Sequence, residues 1–302
     1  MSFADRLHAA VERCGNAALV GLDPHLDQLP AEYAVARDSA APRADRARAM
    51  GDFCCDLVDL CADRVPAVKP QSAFFELLGA DGVAAWERVV AHAHDRGLLV
   101  IGDVKRGDIA STAGAYARAM MEDNGDDART LCDAVTVNAF LGLESIAPFL
   151  EVCARRGTGI YVLVRTSNPG SAEFQLCGEP TLSERIADAV NRWGADLVGD
   201  CGLSSVGAVV GATHPRDLAA LRERMPQANL LVPGYGAQGA GAEDIAAAFL
   251  PGGHGALVNS SRGIAFAYRK SGAPESAWRD ASSAAIDAMI EDLRTAAGMA
   301  PA

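Results

Sequence analysis

Short apolar segments recur along the chain, and most are followed by a segment with apolar residues at helical spacing. They are rich in Val, Leu and Ile and alternate little with polar residues, which is typical of strands buried on both faces of a parallel sheet. The eight predicted strands are Ala17–Asp23, Ala67–Gln71, Leu98–Lys105, Ala134–Ala139, Gly159–Thr166, Val206–Ala212, Asn229–Tyr235 and Gly255–Ser261. Eight β-then-α units at roughly even spacing predict an α/β fold, a single (β/α)8 TIM barrel. A doubly wound open sheet is the alternative.

Several predicted helices have recognisable ends. Trp86–Arg96 carries apolar residues at helical spacing, and Thr213 is expected to cap a helix that has Pro215 in its first turn. Another helix is expected to begin at Glu243, where acidic residues suit the positive end of the helix dipole. The last helix is predicted over Ala281–Ala297.

The domain organisation follows from the even spacing and from the lack of a recognisable linker. We predict one barrel domain over residues 1–302 with a C-terminal helix. Two long excursions interrupt the pattern, Pro24–Met50 after the first strand and Asn168–Gly202 after the fifth. Both follow strand C-termini or contain the helix that does, so we expect them near the face where barrel enzymes carry their sites.

The charge balance argues against nucleic acid as a partner. The chain has 27 Lys and Arg against 39 Asp and Glu among 302 residues, a net charge of −12, whereas nucleic-acid binding needs a basic face. No apolar run is long enough to span a membrane, and the charged N-terminus does not resemble a secretory signal. The eight cysteines form no C-x-x-C pair, which favours reduced thiols in a cytoplasmic protein.

Charged residues mark the ends of the first three predicted strands. Asp103 and Lys105 lie two apart, so their side chains share one face, and Asp108 follows in the loop. Asp23 and Lys69 end the first and second strands. An alternating array of acids and bases is nearly neutral and holds its ammonium groups in place, which makes it a preorganised electrostatic site. The simpler alternative is an ion pair that caps a barrel strand.

A glycine-rich loop follows the seventh strand. Gly234, Gly236 and Gly239 match G-x-G-x-x-G, but no acidic residue follows at the distance that a dinucleotide site requires. The better interpretation is a loop whose N–H groups approach a phosphate, with Gln238 as a side-chain donor. Arg262, after the eighth strand, is placed to bind the same anion, as is usual in this barrel. The alternative for Arg262 is a surface ion pair.

Taken in this order, the motifs resemble those of the orotidine 5′-phosphate decarboxylase family, in its longer bacterial branch. They are the D-x-K-x-x-D-I run at 103–109, the strand-end residues Asp23 and Lys69, the P-G-x-G-A-Q-G loop at 233–239 and the S-R-G-I sequence at 261–264. The resemblance extends from about Ala17 to Tyr268. It implies a cofactor-independent carboxy-lyase that converts orotidine 5′-phosphate to UMP and CO2.

The resemblance also implies roles for the charged residues. Lys105 would donate the proton to C6 of the pyrimidine, and Asp103 would lie beside the substrate carboxylate. Asp23 and Lys69 would contact the ribose hydroxyls and complete the charge network. Asp108 would be a further catalytic residue, supplied by the other subunit of a homodimer.

Further contacts are implied outside that array. Ile109 and Thr112 would accompany Asp108 across the dimer interface. Ser167 would hydrogen-bond the pyrimidine, although Thr166 is an alternative for that role. Gln238 and Arg262 would hold the 5′-phosphate.

Two other functions remain to be distinguished. A metal-dependent sugar-phosphate aldolase or decarboxylase would share D-x-K-x-x-D and would lose its activity in EDTA. A nucleotide-binding barrel without activity would bind UMP and turn nothing over. The sequence predicts no metal-ligand set, because His92 and His94 lie two apart on a helix and do not share a face.

Overall fold

The fold is a closed barrel of parallel strands, as a computed structural model of the chain shows. The structure describes residues 1–122, 131–236 and 241–299. Within these ranges the strands are β1 Ala18–Leu22, β2 Ala67–Pro70, β3 Leu99–Arg106, β4 Ala134–Val137, β5 Gly159–Arg165, β6 Ser204–Val210, β7 Ala228–Val232 and β8 Ala256–Ser260. They pair in chain order, and β8 pairs with β1 to close the sheet. The predicted (β/α)8 barrel is confirmed, and the open sheet is excluded.

One helix precedes β1, and the others follow the strands and surround the barrel. They are α1 Phe3–Cys14, α2 Arg43–Cys61, α3 Ser72–Glu76, α4 Gly79–Asp95, α5 Ala110–Met121, α6 Leu143–Arg156, α7 Ala172–Gln175, α8 Leu182–Trp193, α9 Pro215–Arg224, α10 Ala242–Ile245, α11 Arg262–Ala265, α12 Ala267–Ser271 and α13 Trp278–Ala296. Short 3₁₀ turns cover Leu26–Gln28, Ala31–Ala36, Pro169–Ser171, Ala195–Leu197, Ala246–Ala248 and Glu275–Ala277. In the described ranges, the length and apolarity that a membrane crossing requires are not met by any helix.

The predicted helix ends were partly wrong. Pro215 does occupy the first turn of α9, but the capping position is His214, and Thr213 lies one residue too early to reach the helix N–H groups. The helix expected from Glu243 is only a single turn, α10, and it begins at Ala242. The helix predicted from Trp86 starts at Gly79, and the C-terminal helix starts three residues earlier than predicted.

The two excursions differ in what they contain. Residues 24–50 hold two 3₁₀ turns and the start of α2, so most of this segment lies outside the regular β-then-α pattern. Residues 168–202 hold α7 and α8, and α8 packs against β5 and β6. Much of the second excursion is therefore the regular helix that follows β5.

Alternate residues of each strand face opposite ways, and this divides the core in two. One set, such as Val20 and Val100, packs against the surrounding helices. The other set faces the barrel interior, where Leu19 and Ile101 join Phe3 and other residues of α1. Helix α1 therefore closes the end of the barrel at the strand N-termini, and the opposite end remains open.

A buried arginine joins three segments of the wall around β7 and β8. The Arg222 guanidinium donates to the carbonyl oxygens of Gly255 at 3.0 Å, Ala228 at 2.6 Å, and Met225. Arg222 makes no ion pair within the described residues, and burial lowers its pKa to about 10. It therefore stays charged at neutral pH and is stabilised by backbone dipoles alone.

We expect Arg222→Met to lower the free energy of unfolding by about 3 kcal/mol, because several buried carbonyl groups would lose their donor. Urea unfolding at neutral pH measures this loss. Arg224→Met, two residues along the same helix, is the matched control. Arg224 pairs with Glu184 and Asp188 at the surface, so its loss should cost under about 1 kcal/mol. Equal losses in the two variants would contradict this account.

Candidate active site

A cavity of about 410 Å³ opens at the C-terminal ends of the barrel strands. This volume suits a small ligand. Its polar wall includes Asp23, Lys69, Asp103, Lys105, Ser167 and Arg262. The structure therefore brings together six of the residues that the sequence singled out, from strands and loops that are far apart in the chain.

The Asp103 carboxylate is the centre of the charged wall. Its Oδ2 accepts a hydrogen bond from Lys69 Nζ at 2.7 Å, and its Oδ1 accepts one from Lys105 Nζ at 2.5 Å. The Thr136 hydroxyl donates to the same Oδ1 at 3.0 Å. One carboxylate thus lies between two ammonium groups and fixes the position of both.

Burial and charge oppose each other in this cluster. Lys69 and Asp103 are only 4% and 7% exposed, and burial alone would disfavour both charged forms. Burial acts to raise the pKa of Asp103, but the ammonium groups of Lys69 and Lys105 outweigh it and hold that pKa well below its usual range. Burial likewise acts to lower the pKa of Lys69, but the Asp103 and Asp23 carboxylates outweigh it and raise that pKa. Asp103 and Lys69 are therefore both ionised at neutral pH.

The backbone at the end of β3 is strained. Lys105 has φ of 43°, in the left-handed region that a residue with a side chain rarely adopts, and Ala110 has φ of 48°. The Lys105 N–H donates to the Thr136 hydroxyl at 2.9 Å, which holds this conformation. Thr136, on β4, therefore positions both the backbone of Lys105 and the carboxylate of Asp103. Sequence analysis missed it, because a threonine inside a buried strand gives no signal of its own.

The segment after β5 forms another part of the wall. The Thr166 hydroxyl donates to Asn168 Oδ1 at 2.6 Å and accepts from Gln175 Nε2 at 2.8 Å. The Ser167 hydroxyl lines the cavity and makes no hydrogen bond within the described part of the chain. Gly211 allows this arrangement, since a Cβ there would lie 3.0 Å from the Ser167 backbone.

Arg165 holds the same segment in place from the protein interior. Its guanidinium is buried and donates to the Ser171 hydroxyl and, at 2.8 Å, to Asp217 Oδ2 on α9. It therefore ties the turn that carries Ser167 to the helix that follows β6. Its position at the end of an apolar strand is the same signal that identified Lys69, but sequence analysis did not use it.

The loop after β7 and the start of α11 form the third part of the wall. Gly234 and Gly236 have φ of 98° and 71°, which explains why glycine occupies both positions. Gln238 and Gly239 lie outside the described residues. Arg262 faces the cavity and forms no ion pair in the part of the chain that the structure describes, so a surface ion pair is not observed for it.

Asp108, Ile109 and Thr112 do not line the cavity of their own chain as far as the structure describes it. They lie on the loop after β3 and the first turn of α5, where Ile109 is 47% exposed and Thr112 is also exposed. The Asn138 N–H donates to the Arg106 carbonyl at 2.8 Å, which joins this loop to the one after β4. That second loop and the start of α6 expose three further apolar side chains, Phe140, Leu141 and Leu143.

Two buried oxygen atoms of the cavity wall lack a partner among the described residues. They are Oδ1 of Asp23 and Oδ1 of Asn259. A buried acceptor without a donor is costly. Both atoms are therefore placed to accept hydrogen bonds from a ligand that carries donor groups, such as hydroxyls.

This combination defines the class of protein: a (β/α)8 barrel with an ionised acid–base cluster and a glycine-rich loop at the strand C-termini, where barrel enzymes carry their sites. The chain belongs to the Orotidine 5′-phosphate decarboxylase / HUMPS family, whose family model matches residues 20–280.

Relatives with known names agree with this membership. The chain is 46% identical to an orotidine 5′-phosphate decarboxylase of Rhodopirellula baltica, over 97% of this chain and 99% of that protein. It is 46% identical to one of Deinococcus radiodurans, over 82% and 83% of the two chains. Among solved structures, an OMP decarboxylase of Leishmania donovani superposes with a TM-score of 0.77 and 30% identity, covering 99% of this chain and all of the other.

We expect Asp103→Asn to lower the free energy of unfolding at pH 7 by about 3 kcal/mol, because it leaves the buried Lys69 ammonium without its closest counter-charge. Urea unfolding measures the change. Asp52→Asn is the control, since Asp52 pairs with Arg88 at the surface and should matter little.

The stability difference between wild type and Asp103→Asn should depend on pH. Because the pKa of Asp103 is held low in the folded state, its stabilisation is complete above the unfolded value and is lost as pH falls. The difference in free energy of unfolding between wild type and Asp103→Asn should be constant between about pH 6 and 8 and should become smaller below about pH 4. A difference that stays the same into the acid range would contradict the assignment.

Proposed function

We propose that this protein catalyses the decarboxylation of orotidine 5′-phosphate to UMP and CO2, a step of de novo pyrimidine biosynthesis, without a cofactor. The observation that carries the proposal is the Lys69–Asp103–Lys105 array inside the cavity of a chain that belongs to this family. The name of the family joins orotidine 5′-phosphate decarboxylase with a second name, HUMPS. The two relatives at 46% identity are both named orotidine 5′-phosphate decarboxylase, which favours that activity over a sugar-phosphate reaction.

The chemistry requires stabilisation of an unusual anion. When the bond between C6 and the carboxylate breaks, CO2 leaves and the electron pair stays on C6 in the plane of the pyrimidine ring. A fixed ammonium group near C6 stabilises this charge and then supplies the proton that completes UMP. We assign this role to Lys105, which lines the cavity and whose side chain is 46% exposed. The barrier must fall by roughly 20 kcal/mol.

Asp103 and its neighbours hold that ammonium in position before the substrate arrives. The 2.5 Å contact to Asp103 and the Thr136 hydrogen bonds restrict where Lys105 Nζ can lie. Preorganised charges need little rearrangement during the reaction, which is how such sites lower a barrier. We assign Asp103 to the place beside the substrate carboxylate, and Lys69 to the far side of the same network.

Asp23 and Lys69 are assigned to the ribose hydroxyls. The unpartnered Asp23 Oδ1 supports this assignment, since a hydroxyl would supply the missing donor. For the pyrimidine contact we favour Ser167 over Thr166. The Thr166 hydroxyl is already engaged by Asn168 and Gln175, whereas that of Ser167 is available to a ligand.

The 5′-phosphate is assigned to the loop after β7 and to Arg262. The positive φ values of Gly234 and Gly236 support a loop in which backbone N–H groups approach an anion. Arg262 adds a guanidinium that can bind two phosphate oxygens at once. Gln238 completes the proposed set.

We also propose a homodimer in which Asp108, Ile109 and Thr112 enter the partner's site. Two features support it. These residues lie away from the cavity of their own chain, and the neighbouring loop exposes Phe140, Leu141 and Leu143. Apolar side chains in such number on one surface are typical of an interface.

Residues 1–302 are proposed to act as one domain, because α1 and α13 both pack on the barrel. The proposal places the protein in the cytoplasm. All eight cysteines are free thiols, and four of them are buried, which suits a reducing compartment.

The test of the activity is the loss of orotidine 5′-phosphate absorbance with purified protein in EDTA. We expect turnover to persist in the chelator and to fall at least about 10³-fold in Lys105→Ala. Lys270→Ala is the matched control, since Lys270 is exposed on α12 and should be dispensable. Activity abolished by EDTA would favour the metal-dependent alternative, and tight UMP binding without turnover would favour a binding protein.

The shared site can be tested by mixing inactive variants. In the proposed dimer, each site takes Lys105 from one subunit and Asp108 from the other. A dimer of one Lys105→Ala chain and one Asp108→Asn chain would therefore have one site with both changes and one intact site. Random pairing of the two variants should restore about a quarter of wild-type activity, measured on co-expressed, co-purified chains. Mixed dimers that remain inactive would show that each chain builds its own site.

A further inference from the structure

Three side chains of types that can bind metal ions lie together at the closed end of the barrel, away from the candidate active site. His8 and Glu12 lie one turn apart on α1, and His254 lies in the turn just before β8. One potential ligand atom from each lies within 4.8 Å of the other two. This cluster is at the strand N-termini, whereas the catalytic cavity is at the strand C-termini.

Two of these atoms already have the separation that a metal would impose. His8 Nε2 and Glu12 Oε1 are 3.4 Å apart. Two ligand atoms bound 2.0–2.1 Å from one tetrahedral zinc ion are about 3.3 Å apart. The i,i+4 spacing on α1 therefore presents half of a zinc site without rearrangement.

The two imidazoles have unused hydrogen-bonding capacity. The His8 and His254 rings lie side by side, with their centroids 4.1 Å apart and their planes tilted by 33°. Nδ1 of each ring is buried and lacks a hydrogen-bond partner within the described residues. A metal-binding histidine uses one ring nitrogen for the ion and usually hydrogen-bonds through the other. For His8 the ion would take Nε2, the atom that faces Glu12, which leaves Nδ1 as the second nitrogen, without a partner among the described residues.

We propose that His8, Glu12 and His254 bind a divalent transition metal of the zinc class. Two imidazoles and one carboxylate are borderline ligands that favour such ions over Mg²⁺ or Ca²⁺. Glu12 is exposed and His8 half-buried, so an ion and a completing water have access from solvent. The proposed ligands come from segments about 240 residues apart in the chain.

A bound ion would crosslink two segments at the closed end of the barrel. The ion would join the N-terminal helix to the turn that leads into β8, and β8 pairs with β1 to close the barrel. A ligand that binds only the folded state stabilises it. Zinc should therefore raise the thermal unfolding midpoint and leave decarboxylation unchanged, because the site lies at the opposite end from Lys105.

The test is calorimetric titration of EDTA-washed, desalted protein with Zn²⁺, with Mg²⁺ in a parallel titration. We expect one saturable Zn²⁺ per chain and a higher unfolding midpoint in its presence. His254→Ala and the near-isosteric Glu12→Gln should each weaken binding at least about tenfold. His92→Ala is the matched control, since His92 pairs with Asp59 on another helix. Co²⁺ in place of zinc should show the visible absorption of a site with nitrogen and oxygen ligands.

Three results would overturn the proposal: no saturable binding, equal affinity in wild type and His254→Ala, or weaker binding in His92→Ala instead. The proposal does not rest on the decarboxylase activity. Turnover measured in the same samples separates the two, since its absence would count against the proposed reaction and leave the metal site unaffected.

Discussion

One carboxylate held between two ammonium groups is the interaction on which the candidate site depends. Asp103 contacts Lys69 and Lys105 at 2.7 and 2.5 Å, and both Asp103 and Lys69 are almost completely shielded from water. The charge of either buried group would be costly alone, because burial disfavours it. Paired, both stay ionised, and the same carboxylate sets the position of the Lys105 ammonium. This is why the cluster can present a cation at a fixed point.

The barrel supplies this arrangement through the two-residue period of its strands. Leu19, Ala67 and Ile101 face the interior core near α1, and moving two or four residues along the same strands reaches Asp23, Lys69, Asp103 and Lys105. The interior is therefore apolar at one end and charged at the other on the same side of each strand. This much could be predicted from the sequence, because strand direction and spacing in a parallel barrel place strand-end residues on one face.

The remainder could not be predicted, for reasons that differ from residue to residue. Thr136 positions Lys105 through a contact between neighbouring strands, and a threonine within an apolar segment has no distinctive pattern. Thr213 was expected to cap α9, but the exact residue at which a helix starts is poorly determined by composition. The assignments of Asp108, Ile109 and Thr112 came from the family resemblance, since nothing in one chain indicates what a second chain contributes. His8, Glu12 and His254 were missed because spacing rules detect ligands only when they are close in the sequence.

The strain at Lys105 connects stability with the site. A non-glycine residue in the left-handed region costs about 1–3 kcal/mol, and the hydrogen bonds to Thr136 and Asp103 hold it there. At the opposite, closed end of the barrel the contacts are stabilising. There, Phe3 and Leu7 fill the interior, and Arg6 pairs with the buried Asp133 at the start of β4. Contacts at the closed end therefore add stability that offsets the strain at Lys105, and the strands that run between the two ends carry both.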